Sequence, residues 1–153
     1  MLVVPGFNKA HNHLPSGLKS VRISLAGMDP SWETVQDSLR KVEGRTPESQ
    51  WIEATIGPSI ANSPEATRFV LDKIAPNHPV RLLSWWGHVG LYNSLGLREM
   101  GIAEDQPDPK GGFYERVTNG KTLTGKGCEK NAYLASHQLC KNGPIARREH
   151  YGR

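Results

Sequence analysis

No stretch of this sequence stays apolar for anything near the roughly 20 residues that a membrane-spanning helix needs. Its longest approach, Val80 to Leu83, is already broken by Arg81, so no helix of this chain is expected to cross a bilayer and no membrane partner is predicted. Cysteine is scarce. Cys128 and Cys140 stand far apart, too few for a disulfide framework and outside any Cys-x-x-Cys pair, which predicts two reduced, partly buried thiols. The opening Met1-Leu2-Val3-Val4-Pro5-Gly6 lacks both the basic residues and the apolar run of a secretory signal, which makes the cytoplasm the expected compartment. A Lys/Arg stripe interleaved with aromatics is missing too. The formal net charge is +4, but Lys141 to Arg153 holds four basic residues against one acid, so the excess is a tail. Residues 141–153 show no apolar period and are expected to be loose, and no nucleic-acid partner is predicted.

What is present points to a mixed fold. Hydrophobic residues make up 37% of the 153-residue chain, below the usual ~45–50%, and 16 Gly with 11 Pro imply many turns. The length suits one modest domain or a piece of something larger. Leu2-Val3-Val4 before Pro5-Gly6 predicts a short buried strand ending near His11 to His13, and Val21, Ile23 and Leu25 alternate with Lys19, Arg22 and Ser24 as a half-buried strand does. A helix is predicted next, capped by Asp29 with Pro30 first inside, its apolar face Trp32, Val35, Leu39 and Val42, and its stop Gly44. Strands are predicted over 50–56 and 79–86. A helix from Ser63-Pro64 with Phe69, Val70 and Ile74 inward separates them, and a short helix capped at Asn93-Ser94 follows and closes at Gly101. After the loop of Pro107 to Gly112, a hairpin is expected between 113–117 and 121–123 around Asn119-Gly120, then a helix over 129–139. Alternating helices and strands mean α/β or α+β architecture, with spacing over about 44–112 irregular enough to suggest an inserted subdomain.

The sharpest chemical signal is His11-Asn12-His13. Two residues apart on an extended strand, both imidazoles face the same way, as a metal site at ~2.0–2.1 Å requires and as two histidines on a polar rim also would. Position favours the first, because the end of a strand is where α/β barrels keep their chemistry.

Pro5-Gly6-Phe7-Asn8-Lys9-Ala10-His11-Asn12-His13 resembles the first-strand metal motif of the amidohydrolase superfamily. Further blocks follow in order: Leu71-Asp72-Lys73-Ile74-Ala75-Pro76-Asn77-His78-Pro79-Val80, then Gly87-His88 through Asn93-Ser94, then Asp108-Pro109-Lys110-Gly111-Gly112 with Glu115-Arg116, then Leu123-Thr124-Gly125 through Glu129. Together these resemble the YtcJ-like branch, related to N-substituted formamide deformylases, over roughly residues 3 to 139. The resemblance implies a (β/α)8 barrel carrying one or two divalent metals and hydrolysing non-peptide carbon–nitrogen bonds of small amide-like substrates. It makes residues 1–140 an amidohydrolase-like region, with the first barrel strand at about 2–14 and an inserted α+β subdomain at about 44–112. His11 and His13 become metal ligands, zinc being the expected ion. Glu129 becomes a further ligand, or an acid in the first turn of the last helix where the dipole favours it. His88 becomes a substrate contact, or a histidine that only orders a loop. Trp85 and Trp86 either wall a pocket or belong to the core.

Two departures qualify what the resemblance implies. Lys9 stands where the family usually has Asp, and a cation beside metal ligands weakens metal binding. In addition, a barrel needs about 250 residues, so a truncated, partial barrel is predicted, lacking the later histidines and the general base and inactive alone. The competing function, of a different class, is a non-catalytic binding or interaction module derived from the family.

Overall fold

The computed structural model describes residues 19–118 and 120–128. The strand expected at 2–4, His11, His13, Glu129, Cys140, the helix over 129–139 and the basic tail all lie outside the described residues.

Six strands form one mixed sheet: β1 (Ser20–Ile23), β2 (Trp51–Ile56), β3 (Val80–Ser84), β4 (Val89–Tyr92), β5 (Phe113–Arg116) and β6 (Leu123–Cys128), in the spatial order β1-β2-β3-β4-β6-β5. The first three run parallel, with Val21 opposite Ile52 and Ile52 opposite Val80, and β3-β4, β4-β6 and β6-β5 are antiparallel. Parallel neighbours need a crossover. Helix α1 (Trp32–Glu43) supplies one between β1 and β2, and α2 (Pro58–Ala61) with α3 (Arg68–Ile74) supplies the other between β2 and β3. Helix α4 (Ser94–Glu99) follows β4.

Side chains alternate across the sheet, so each face has its own core. On the face of α1 and α3, Ile23, Ile52, Ala54, Val80, Leu82 and Leu91 pack against Val35, Leu39 and Leu71. On the other face Trp51, Tyr92, Leu97, Met100, Ile102, Tyr114 and Leu123 form a smaller cluster. The sheet runs without interruption from β1 to β6, across both expected bounds of the inserted region.

Several local expectations are corrected. Helix α1 is capped by Ser31, whose Oγ accepts from Thr34 N at 3.2 Å, and not by Asp29. The Asp29 carboxylate serves α2 instead, accepting from Ser59 N (3.0 Å) and Ser59 Oγ (2.7 Å), because Gly57 at that helix's N-cap has no side chain to do so. Helix α3 begins at Arg68 after Thr67, since Ser63 draws Glu65 and Ala66 into a separate turn. Leu71 is buried and Ile74 packs against the same core as expected, whereas Phe69 is exposed. The strand expected to reach Trp86 stops at Ser84 and turns back as β4. Finally, the β5-β6 hairpin closes from Val117 N to Thr122 O, a longer connection than a two-residue Asn-Gly turn.

Candidate functional site

One end of the sheet gathers the carboxyl ends of β1, β2 and β3 and the β3-β4 turn, the place where open α/β sheets bind ligands. The turn is tight. Ser84 O accepts from Gly87 N at 2.9 Å, Gly87 takes φ +79°, and Ser84 Oγ accepts from the backbone N–H groups of His88 (3.2 Å) and Val89 (3.0 Å). His88 is thereby held half-buried at the sheet end beside the edge-to-face pair Trp85 and Trp86, whose ring centroids are 5.3 Å apart. Trp85 is 51% exposed, which takes it out of the core.

The remaining motif residues build the frame. Asn93 is 1% exposed and completes four hydrogen bonds: its Oδ1 accepts from Val80 N (2.9 Å) and Gly96 N (2.8 Å), and its Nδ2 donates to Ala75 O (3.1 Å) and His78 O (2.8 Å). It therefore caps α4 and also ties that helix to the α3-β3 connection and to β3. Asp72 repeats the link from the α3 side, accepting from Ser94 N (2.8 Å) and Ser94 Oγ (2.6 Å). Asp108 plays the same part in its loop, accepting from Tyr114 N (3.0 Å) and Arg116 (2.8 Å), while Arg116 also donates to Gln106 O at 2.6 Å.

Along β6, Gly125 has φ +97°, and a Cβ there would lie 2.4 Å from Tyr92 O and 2.7 Å from Arg68 Cβ. Only glycine fits that crossing. Its neighbour Thr124 donates to the Glu115 carboxylate at 2.5 Å, and the Lys126 ammonium, almost fully buried, donates to Ser63 O with Glu115 3.8 Å away.

These locks set the local electrostatics. The Arg116 guanidinium, joined by the Tyr114 N–H, holds the Asp108 carboxyl below its usual range against a small opposing desolvation. Desolvation pushes Glu104 upward, but the Leu123 N–H and the Arg68 guanidinium at 2.5 Å outweigh it, and its carboxyl also ends below the usual range. Burial, reinforced by the Asp108 charge, raises the Tyr114 phenol. Among the described residues no three His, Cys, Asp or Glu side chains come together as a metal would require. The described sheet thus carries none of the expected ligands, of which His11, His13 and Glu129 lie beyond it, and by itself it does not fit a metal centre. Sequence reasoning placed His88 near a loop and Asn93 at a cap but gave no role to Asp72, Asp108 or Lys126. The available signal was that Asp72 and Asp108 fall inside the quoted motif blocks and Lys126 inside the last of them.

The fold and site define a mixed α/β domain whose motif residues lock a sheet together behind a turn-borne histidine. That chain belongs to the amidohydrolase family, whose model matches residues 1–151. It is 35% identical over 127 residues to an N-substituted formamide deformylase of Arthrobacter pascens, covering 78% of this chain and 23% of that protein. It is 32% identical over 130 residues to the protein named LONG AFTER FAR-RED 3 of Arabidopsis thaliana, with 78% and 21% covered. With YtcJ of Bacillus subtilis (strain 168), which carries an amidohydrolase name, it shares 28% identity over 123 residues, with 78% and 23% covered. The chain therefore spans between a fifth and a quarter of the length of these curated relatives. No solved structure matches it.

Proposed function

We propose that this chain is the part of a metal-dependent amidohydrolase that carries the first metal-binding strand and the subdomain beside the barrel, and that the whole enzyme hydrolyses non-peptide carbon–nitrogen bonds of small amide-like substrates in the cytoplasm. The observation that carries the reading is the family match over residues 1–151. Among the described residues no helix is long and apolar enough to cross a membrane. In this reading His11 and His13, with Glu129 as a third donor, hold a divalent metal, zinc being the ion that imidazoles and a carboxylate suit. Such a metal, when bound, lowers the pKa of a water toward about 7. The role of the chain's own described residues is different: the sheet holds His88 and the Trp85-Trp86 pair at one end, where they contact the substrate's non-reacting portion.

A chimera tests this. Residues 1–139 replace the matching part of the Arthrobacter pascens deformylase, and hydrolysis of N-substituted formamides is assayed with zinc present. Turnover is expected in the chimera, with loss in His11→Ala and His13→Ala and a raised KM in His88→Ala. The unmodified chain, with at most three ligands and Lys9 beside them, should show no turnover and weak zinc binding by calorimetry, tightened in Lys9→Asp. A folded chimera that neither binds zinc nor turns over would sink the reading and favour the non-catalytic module.

A further inference from the structure

At the carboxyl ends of β1 and β2, a cleft of about 330 Å³ is lined by Arg22, Ile23, Ser24, Leu25, Gly27 and Thr55. Its position follows from strand geometry. Arg22 pairs in register with Glu53, so both point to the same face of the sheet, Thr55, two residues further along β2, points there too, and Ser24 follows directly after β1. Strand β2 lies between β1 and β3, and Thr55 alone among its six residues is exposed. An exposed position in a central parallel strand marks a place where the layer that normally covers such a sheet is missing.

The charge at this place is unbalanced. Glu53 is the carboxylate nearest Arg22 among the described residues, but it is already engaged: its Oε1 accepts from the Arg81 guanidinium and its Oε2 from Ser20 Oγ at 2.9 Å. Arg22 approaches it only to 3.6 Å, beyond hydrogen-bond distance, with its side chain 76% exposed. Its planar fork of donors therefore stands at the cleft wall in a loose ion pair with Glu53, whose single charge is shared with Arg81. Ser24 and Thr55 add hydroxyls that have no hydrogen-bond partner among the described residues, and Leu25 adds an apolar margin.

We propose that this cleft binds a small organic carboxylate, paired with the Arg22 guanidinium and hydrogen-bonded by Ser24 and Thr55. A single guanidinium with two hydroxyls matches a planar monoanion, which Arg recognises in bidentate fashion. A phosphate dianion calls for more positive charge, and among the described lining residues Arg22 is the one cation. The volume lies at the lower end of the range for small-molecule sites, which limits the ligand to one short acid. None of the described lining residues is a proposed metal ligand, and the proposal does not depend on the hydrolase reading.

The test is a titration of the 15N-labelled protein with sodium benzoate, with benzamide as the neutral isostere and inorganic phosphate as the competing anion. Benzoate is expected to bind at millimolar Kd, shifting the amides of Ser24, Leu25, Gly27 and Thr55, with benzamide at least tenfold weaker. Arg22→Gln, at an exposed position, should weaken benzoate at least tenfold and Thr55→Val a few-fold, while Arg40→Gln on α1 should leave it unchanged. Equal binding of benzoate and benzamide, tighter binding of phosphate, or unchanged benzoate affinity in Arg22→Gln would overturn the proposal. If Arg22→Gln alters the fold by circular dichroism, Thr55→Val and the benzamide comparison decide it.

Discussion

Strands β1, β2 and β3 run parallel under a layer of helices and are held mainly by apolar volume around one buried polar group, Ser20, Glu53 and Arg81, whereas β4, β6 and β5 run antiparallel and join a smaller apolar cluster to most of the polar locks. In the parallel half Leu39, Ile52 and Leu82 are fully buried. Around the antiparallel half, Asn93, Asp72, Glu104 and Lys126 each join segments distant in sequence, and Asp108 and Thr124 tie nearer ones together. The difference teaches where motif residues go. Apolar burial needs only the right size and period, so many sequences satisfy it. A buried polar lock needs one donor and one acceptor at fixed places, so its residue types recur as recognisable blocks.

The largest expected effect is at the junction of the two halves. Asn93→Ala leaves two backbone N–H groups and two carbonyls without their buried partner, and should cost about 3–5 kcal/mol by urea denaturation. A loss below about 1 kcal/mol would mean that water replaces the side chain and that the junction is not a true lock.

Gly125→Ala sharpens the contrast on the antiparallel side, where the added Cβ meets backbone at 2.4 Å. It should destabilise by about 2–4 kcal/mol, whereas Gly101→Ala, at φ +70° with nothing within 4 Å, should cost about 1–2 kcal/mol from the left-handed backbone alone. Leu39→Ala, in the parallel half, should fall at about 2–4 kcal/mol through the cavity it leaves. Equal values for the two glycines would refute the close-approach argument.

Acid should separate the halves. Asp108 and Glu104 have lowered pKa values in the fold, so their contribution is complete above the ordinary carboxylate range near 4 and is lost as pH falls through the lowered values. Hydrogen exchange at decreasing pH is expected to open β5 and β6 before β1 and β2. Simultaneous opening, or an order unchanged in the Asp108→Asn and Glu104→Gln double variant, would remove the electrostatic part of the comparison.

The smallest effect concerns caps. Ser31→Ala should cost about 1 kcal/mol through loss of the Thr34 N–H acceptor. Asp29→Ala, if the sequence-based capping of α1 were right, would do the same to α1. In the observed fold it should instead loosen exchange at Ser59 and leave α1 unaffected.

Periodicity explains which parts were legible. Helix α1 was readable because Trp32, Val35, Leu39 and Val42 repeat at spacings of three and four, and β1 because Val21 and Ile23 alternate with polar residues. Asn93-Ser94 announced α4 through local capping chemistry. Strand β4 was not readable. Its four residues include Gly90, which packs against the Tyr92 ring, and a strand so short with a glycine inside it gives no alternating pattern to read. Asp29 misled because its partner Ser59 lies 30 residues away. Of the candidate site, His88 could be placed on a loop but not at the end of a sheet, and the family-derived ligands His11, His13 and Glu129 fall outside the described residues.

The strand order carries one more consequence, for the growing chain. Strand β5 is made before β6 yet among the described strands pairs only with β6, which itself sits against β4. On a ribosome adding about 5–20 residues per second, residues 113–116 thus wait roughly a second for their neighbour to be synthesised. During that interval β4, which β6 will cover, is an open edge that an unrelated strand could occupy. Slowing translation between the codons for Arg116 and Cys128 should therefore lower the yield of soluble protein more than an equal pause placed before Val80.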